Sequence, residues 1–314
     1  MDNPFFTEYG TPFGAIPYNN ITLEHFVPAV KEGIRLECEA IERICNESGA
    51  ATFENTIEAL EYSGVKLSVI TGAFNALVNA RSYDEILAVE EEIELLCTAH
   101  RNNVSLNSRL FERVKAVYEG EREGLDAAQN RLLDETYMGF VRSGANLKGA
   151  DRERYRVLTE RLATLAIKYQ ENCIKDTDGF TLHVTEVADI SGIPADVVEA
   201  ARNNAVEGGL EGWLFTLHRP SYIPFMTFCR NRGLRQQMYM AYSTIGAKGN
   251  GHDNRAIVVE TVNARLELAR MLGYGSYSEY VLAERMAKNT DAVFSMLGRL
   301  TWAYLPVARK EMDE

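Results

Sequence analysis

A chain of 314 residues, 46% apolar and 25% charged, is long enough for one large or two ordinary globular domains with a substantial core. Its net charge of −12 argues against a nucleic-acid partner, and the basic run Arg152, Arg154, Arg156 and Arg161 is interleaved with Asp151, Glu153 and Glu160 as an ion-paired helix face. No apolar run reaches the ~18 residues of a membrane span, and MDNPFFTEYG carries no basic or apolar leader, so the expectation is a cytoplasmic protein with no membrane partner.

Residues 1–21 read as an irregular arm, because Pro4, Pro12 and Pro17 with Gly10 and Gly14 block regular structure while Phe5, Phe6, Phe13 and Tyr18 give it apolar weight. A helical region follows over 22–118. Thr22 caps a helix whose stripe runs through Val27, Val30, Ile34, Cys38, Ile41 and Cys45. A single long helix is predicted over Phe53–Val78, and Ser82 with Glu85 boxes the start of the next, which carries Ile86, Val89, Ile93 and Leu96. A shorter helix covers Ser108–Tyr118. Beyond the charged loop Glu119–Gly124, the region 126–176 holds two more helices, the second long and amphipathic.

The texture changes over 177–250, which reads as a small α/β insert. Phe180–Val184 and Trp213–Leu217 alternate like strands, Pro194 opens a short helix between them, and Ser221–Ala241 reads as one helix. The Thr244–Asn254 loop, rich in glycine but without P-loop spacing, reads as a flexible connector. From 251 to 314 the pattern is helical again: Asp253 as a cap, Gly273 as a left-handed stop, and a capping box at Ser276 and Glu279. Thr290 starts a last helix with Val293, Leu297, Leu300, Tyr304 and Val307 on one stripe, and that pattern reaches Glu314 without a stop signal. Five cysteines, Cys38, Cys45, Cys97, Cys173 and Cys229, are odd in number, widely spaced and apolar in setting, which predicts reduced core thiols.

GHDNRAIVVE followed by LARMLGYGSYSEYVLAERMAK resembles the corresponding segment of the thimet oligopeptidase family of zinc peptidases, in its dipeptidyl carboxypeptidase branch. NPFFTEYGTPFGAIPYNNITLEHFVPAV, TFENTIEALEYSG, DRERYRVLTERLATLAIKYQENCIKD and LHRPSYIPFM continue the resemblance in order along the chain. It implies a mainly α, multi-helical, neurolysin- or thimet-oligopeptidase-like half-shell with a small β element. The family's zinc needs two histidines one helical turn apart, with a glutamate to activate the bound water. None of His25, His100, His183, His218 and His252 has a histidine four residues on, and none is followed by glutamate, so HExxH is missing.

The resemblance therefore implies the N-terminal, non-catalytic half of a peptidase that removes C-terminal dipeptides from short peptides. Zinc would belong to the full-length parent and none to this chain, which holds no expected catalytic or metal-binding residue and is expected to be inactive alone. Its partners would be short unfolded peptides and its own missing C-terminal catalytic half, to which 251–314 leads. An endo-acting oligopeptidase of the same family, or a stand-alone peptide-binding scaffold, are the alternatives. Arg219, Ser221 and Tyr222, just after the second strand, are the residues that would face a substrate channel, with an ordinary strand-to-helix turn as the competing reading. His183 and His218 would converge if the strands pair, but two histidines without a third ligand are weak for a metal.

Overall fold

A computed structural model of the chain describes residues 3–80 and 84–313. It is mainly α, with a single two-stranded sheet among the described residues. The elements are α1 (Phe26–Asn46), α2 (Ala59–Ser63), α3 (Val65–Ala80), α4 (Asp84–Ser105), α5 (Ser108–Glu119), α6 (Ala127–Arg142), α7 (Gly149–Asp178), β1 (Thr181–Val184), α8 (Ala195–Glu207), β2 (Trp213–Thr216), α9 (Arg219–Phe228), α10 (Arg232–Ser243), α11 (Arg255–Met271), α12 (Tyr277–Leu282) and α13 (Thr290–Asp313). They form two compact units, one of residues 1–164 with 262–314 and one of residues 165–261.

In the first unit the arm is anchored by Asn3, whose Oδ1 accepts the Phe5 N–H at 3.1 Å and whose amide donates to His25 O at 2.8 Å. Phe5 is thereby buried against Phe26, which meets Phe74 edge-on at 5.1 Å. The buried face of α1 is Phe26, Ala29, Val30, Gly33, Ile41 and Ile44, rotated from the predicted stripe. Gly33 explains the rotation: a Cβ there would lie 3.1 Å from Leu67 Cα, so α3 packs directly on the backbone at this point. Cys38 consequently faces outward, which corrects the expectation that all five thiols are core residues.

The helix expected as one piece over Phe53–Val78 is three: a π-helical turn at Phe53–Glu58, then α2 and α3 with a break at Gly64. Thr52 and Asn55 cap the first of these reciprocally, a local signal of the kind that sets a helix start. Ser82 lies outside the described residues. Asn107 and Asp126 cap α5 and α6 through their side chains.

Three apolar clusters fill this unit. One joins Phe26, Ile70, Phe74, Ile86 and Ile93; a second joins Ile57, Leu110, Val114, Leu133 and Phe140; the third joins Leu106, Tyr155, Leu158, Ala264 and Leu268. Arg142, at the end of α6, is buried and ties α12 down. Its guanidinium donates to Tyr274 Oη at 3.0 Å and Tyr280 O at 2.7 Å, pairs with Glu284 at 2.7 Å, and lies 4.3 Å from the Tyr280 ring centroid. Gly273, at φ +87°, ends α11 where only glycine sits without strain. The Ser276 hydroxyl accepts from Glu279 N–H as expected, while the Glu279 carboxylate reaches one residue further back, to Gly275 N–H at 3.0 Å.

In α13 the apolar stripe is unpartnered. Apart from Thr290 and Val293 every described residue of the helix is exposed, including Phe294, Leu297, Leu300, Trp302, Tyr304 and Val307. No helix among the described residues is long and apolar enough to cross a membrane.

The second unit is built on β1 and β2, antiparallel with Leu182 opposite Phe215 and His183 opposite Leu214. Leu182, Val184, Phe215, Leu217, Tyr222, Phe225 and Met238 form its core with α8, α9 and α10. The helix expected over Ser221–Ala241 is broken at Cys229–Asn231, because Asn231 accepts the Leu234 N–H to start α10 and holds Asp189 Oδ1 at 2.7 Å with its amide.

Candidate functional site

β2 delivers the chain to His218, and Arg219 and Pro220 open α9, where a proline costs least. The three residues expected to face a channel point in different directions. Arg219 is exposed. Ser221 turns back, its Oγ accepting the Thr216 N–H at 3.0 Å. Tyr222 is buried and stacks on Tyr242, ring centroids 4.1 Å apart at 14°. Burial, with Tyr242 and Tyr239 adding to it, pushes the Tyr222 phenol up, so it stays a neutral hydrogen-bonding group.

On the outer side of β2, Thr216 N–H is taken by Ser221 and Leu214 O accepts from Asn204 Nδ2 at 3.3 Å. A peptide strand approaching this edge meets two backbone groups already engaged. The two histidines hold separate partners: His183 Nε2 lies 2.6 Å from Glu211 O, and His218 Nε2 3.1 Å from Asp178 Oδ1. Around the Tyr222–Tyr242 stack, Ile223, Phe228, Tyr239 and Met240 are exposed, an aromatic and aliphatic surface on α9 and α10. Periodicity did not find this surface, since every one of these residues also fits a core stripe.

The Thr244–Asn254 loop is pinned, which corrects the flexible connector expected from its glycines. Asp176, buried at the end of α7, accepts Gly246 N–H at 2.8 Å and the Asn250 amide at 2.7 Å, with Lys248 Nζ donating to its carbonyl at 3.1 Å. Burial alone would raise the Asp176 carboxyl; the Asn250 amide, the Gly246 N–H, Lys248 and His252 together outweigh it and hold the group below the usual carboxylate range. Asn254 completes the clasp. Its amide donates to Tyr169 O at 3.0 Å, its Oδ1 accepts from Asn172 Nδ2 at 2.9 Å, and its N–H donates to Gly246 O at 2.6 Å. Asp253, expected as the cap of α11, accepts the Arg255 N–H at 3.0 Å and is held by the Arg255 guanidinium; the pair is at the surface. A cavity of about 710 Å³ opens beside the loop, lined by Asp176, Phe180, Gln237, Met240, Lys248 and His252. In the first unit a wider groove of about 1250 Å³ is lined by Glu37, Glu61, Glu94, His100, Arg101 and Tyr155.

The residues present do not fit a zinc ion. HExxH is absent from the sequence, and among the described residues no three histidine, cysteine or acidic side chains converge as a metal site.

The model of peptidase family M3 matches residues 225–314, from the middle of α9 through the pinned loop to α13. Relatives align beyond that span. A dipeptidyl carboxypeptidase of Salmonella typhimurium is 33% identical over 94% of this chain and 44% of its own length. An oligopeptidase A of Escherichia coli is 32% identical over 100% of this chain and 46% of its own, and an E. coli dipeptidyl carboxypeptidase is 30% identical over 99% and 46%. The chain spans about half the length of the curated relatives it matches. Residues 225–314 thus match peptidase family M3, and the chain as a whole is similar to about half of a dipeptidyl carboxypeptidase or oligopeptidase A, an extent consistent with the N-terminal half of such a protein.

Proposed function

We propose that this chain is the non-catalytic N-terminal half of a zinc metallopeptidase that removes C-terminal dipeptides from short peptides, and that it supplies a wall of the substrate channel. The observation that carries the reading is α13, whose apolar stripe Leu297, Leu300, Tyr304 and Val307 is exposed, in a chain that matches less than half of each relative. A contiguous exposed apolar stripe of this kind marks an interaction surface, and the occupant we assign is the catalytic half of the same protein. The zinc and the water it activates would lie in that half. Arg219 and the exposed Ile223, Tyr239 and Met240 of this chain would contact the substrate, the arginine toward carboxylate and the others toward apolar side chains. An endo-acting oligopeptidase is the second reading, favoured by the near-equal identity to oligopeptidase A and to dipeptidyl carboxypeptidase.

The test is zinc content and product analysis on a blocked short peptide, for this chain alone and after mixing with a separately made C-terminal half. The expected result is neither zinc nor cleavage alone, and dipeptide release on mixing. Internal cleavage on mixing would favour the endopeptidase, and stoichiometric zinc with cleavage by this chain alone would overturn the reading.

A further inference from the structure

We propose that Cys38 is a thiol-exchange site, served by His100 and Glu37, that takes up a low-molecular-weight disulfide as a mixed disulfide. The chain brings together Glu37 and Cys38 on α1 with His100 on α4, all within the first unit. The His100 ring is only 4% exposed, with Nδ1 3.8 Å from Cys38 Sγ and Nε2 3.0 Å from Glu37 Oε2. The second contact is electrostatic more than a well-aligned hydrogen bond. The negative charge beside Nε2 favours the tautomer with the ring proton there, which leaves the Nδ1 lone pair toward the thiol. This is the nucleophile, base and orienting-group order that activates a sulfur nucleophile.

The other cysteines lack that arrangement. Cys229 is buried and donates to Asp189 O at 3.4 Å, Cys173 takes the Asn254 amide at 3.4 Å, and Cys45 has the Asn107 amide at 4.0 Å. Cys97 is half-buried, and burial pushes its thiol up. Cys38 alone is exposed, so a reagent reaches its sulfur from solvent while the base stays shielded.

The position of Cys38 selects the chemistry. It sits in the middle of α1, where the backbone N–H groups are committed to the helix ladder and none is free to hold an oxyanion. Acyl transfer therefore has no support there. Sulfur–sulfur exchange develops no oxyanion and needs only a nucleophile, a base and access. In the step, Cys38 Sγ attacks one sulfur of RS–SR. The Sγ–S bond forms, the reagent's S–S bond breaks, the thiol proton passes to His100 Nδ1, and from there it goes to the departing RS⁻. The products are protein–S–SR and RSH: the reagent disulfide is the oxidant, Cys38 Sγ is oxidised to the disulfide level and the departing RS sulfur is reduced to the thiol. Burial, then Glu37 and Glu42, push the Cys38 thiol up. The resting thiolate fraction is therefore small, and transfer of the thiol proton to His100 is what supplies the nucleophile.

The test uses an aromatic disulfide whose released thiolate is coloured, in excess over the whole chain, with the modified cysteine located by peptide mass spectrometry and oxidised glutathione run in parallel. The expected result is a fast phase of one equivalent at Cys38, abolished by Cys38→Ser and unchanged by Cys97→Ser. His100→Gln should slow the phase by at least about tenfold, the scale of a lost general base. Because a buried histidine variant can misfold, Glu37→Gln is the second arm. With circular dichroism unchanged, it should slow the phase and move its pH profile, which a merely structural carboxylate would not do. A fast phase at another cysteine, four or more thiols reacting at one rate, or His100→Gln and Glu37→Gln reacting as the parent would overturn the assignment.

Discussion

Replacing Asn254 by alanine should unfasten the second unit, and the cost follows from its bonds. Asn254 is 3% exposed and exchanges hydrogen bonds with Tyr169 O and Asn172 Nδ2. Tyr169 O lies in α7 and keeps its helical partner when the amide is lost. Asn172 keeps nothing: it is buried, its Oδ1 already lacks a protein partner, and the substitution orphans its Nδ2 as well. Two net bonds at ~1 kcal/mol each plus ~1–2 kcal/mol for the newly orphaned donor come to about 3–4 kcal/mol. The assay is urea unfolding followed by Trp213, which belongs to this unit, in a Trp302→Phe background that removes the other tryptophan. The midpoint should fall without a change in slope. Removing Asn172 as well relieves the orphan, so the double variant Asn172→Ala/Asn254→Ala should be more stable than the sum of the single losses by about 1–2 kcal/mol. A loss below about 1 kcal/mol for Asn254→Ala, or strict additivity, would refute the reasoning.

Arg142→Met should cost about 2–3 kcal/mol in thermal or urea unfolding, because it strips the buried donors from Tyr274 Oη and Tyr280 O; the half-exposed Glu284 partner adds little. Arg142→Lys should recover only part of that loss, since an ammonium cannot replace the planar fork. Gly212→Ala places a Cβ 2.3 Å from Val184 O at φ +89°, and hydrogen exchange of β1 and β2 should accelerate together with a loss of about 2–3 kcal/mol. The Asp176 carboxyl is lowered in the folded state, so its contribution is present above the unfolded value near ~3.9 and disappears as pH falls through the lower folded value. Asp176→Asn should therefore flatten the acid limb of urea midpoints below about pH 4 and destabilise the chain above it. Trp302→Asp or Leu297→Asp should lower any concentration-dependent association seen by sedimentation, without shifting the unfolding midpoint, because α13 contributes no buried side chain.

What could be read from the sequence was what neighbours along the chain decide. The cap at Ser276 acts within three residues, and the two strands announced themselves by alternation. What could not be read depends on residues far apart. The rotation of α1 follows from Gly33 meeting Leu67, and the break at Gly64 sits beside the Glu37 carboxylate, neither of which leaves a periodic trace. The glycine loop looked slack because its clasp, Asp176, lies seventy or more positions upstream of Gly246 and Asn250. Tyr222 was singled out for its place after a strand, yet its stacking partner Tyr242 is a full helix away. His100 carried no spacing signal, since its partners Glu37 and Cys38 come from another helix.

The engaged outer rim of β2 also bears on how the protein can go wrong. A two-stranded ribbon is an open template for cross-β growth, and fibrils extend by adding strands to such a rim. With Asn204 and Ser221 occupying its backbone groups, β2 cannot be extended until those side chains let go, which leaves the four residues of β1 as the sole sheet rim among the described residues. Clumping of this chain should therefore proceed through the greasy flank of α13 and keep its helical infrared and circular-dichroism signature, while Asn204→Ala should open the slower route to amyloid.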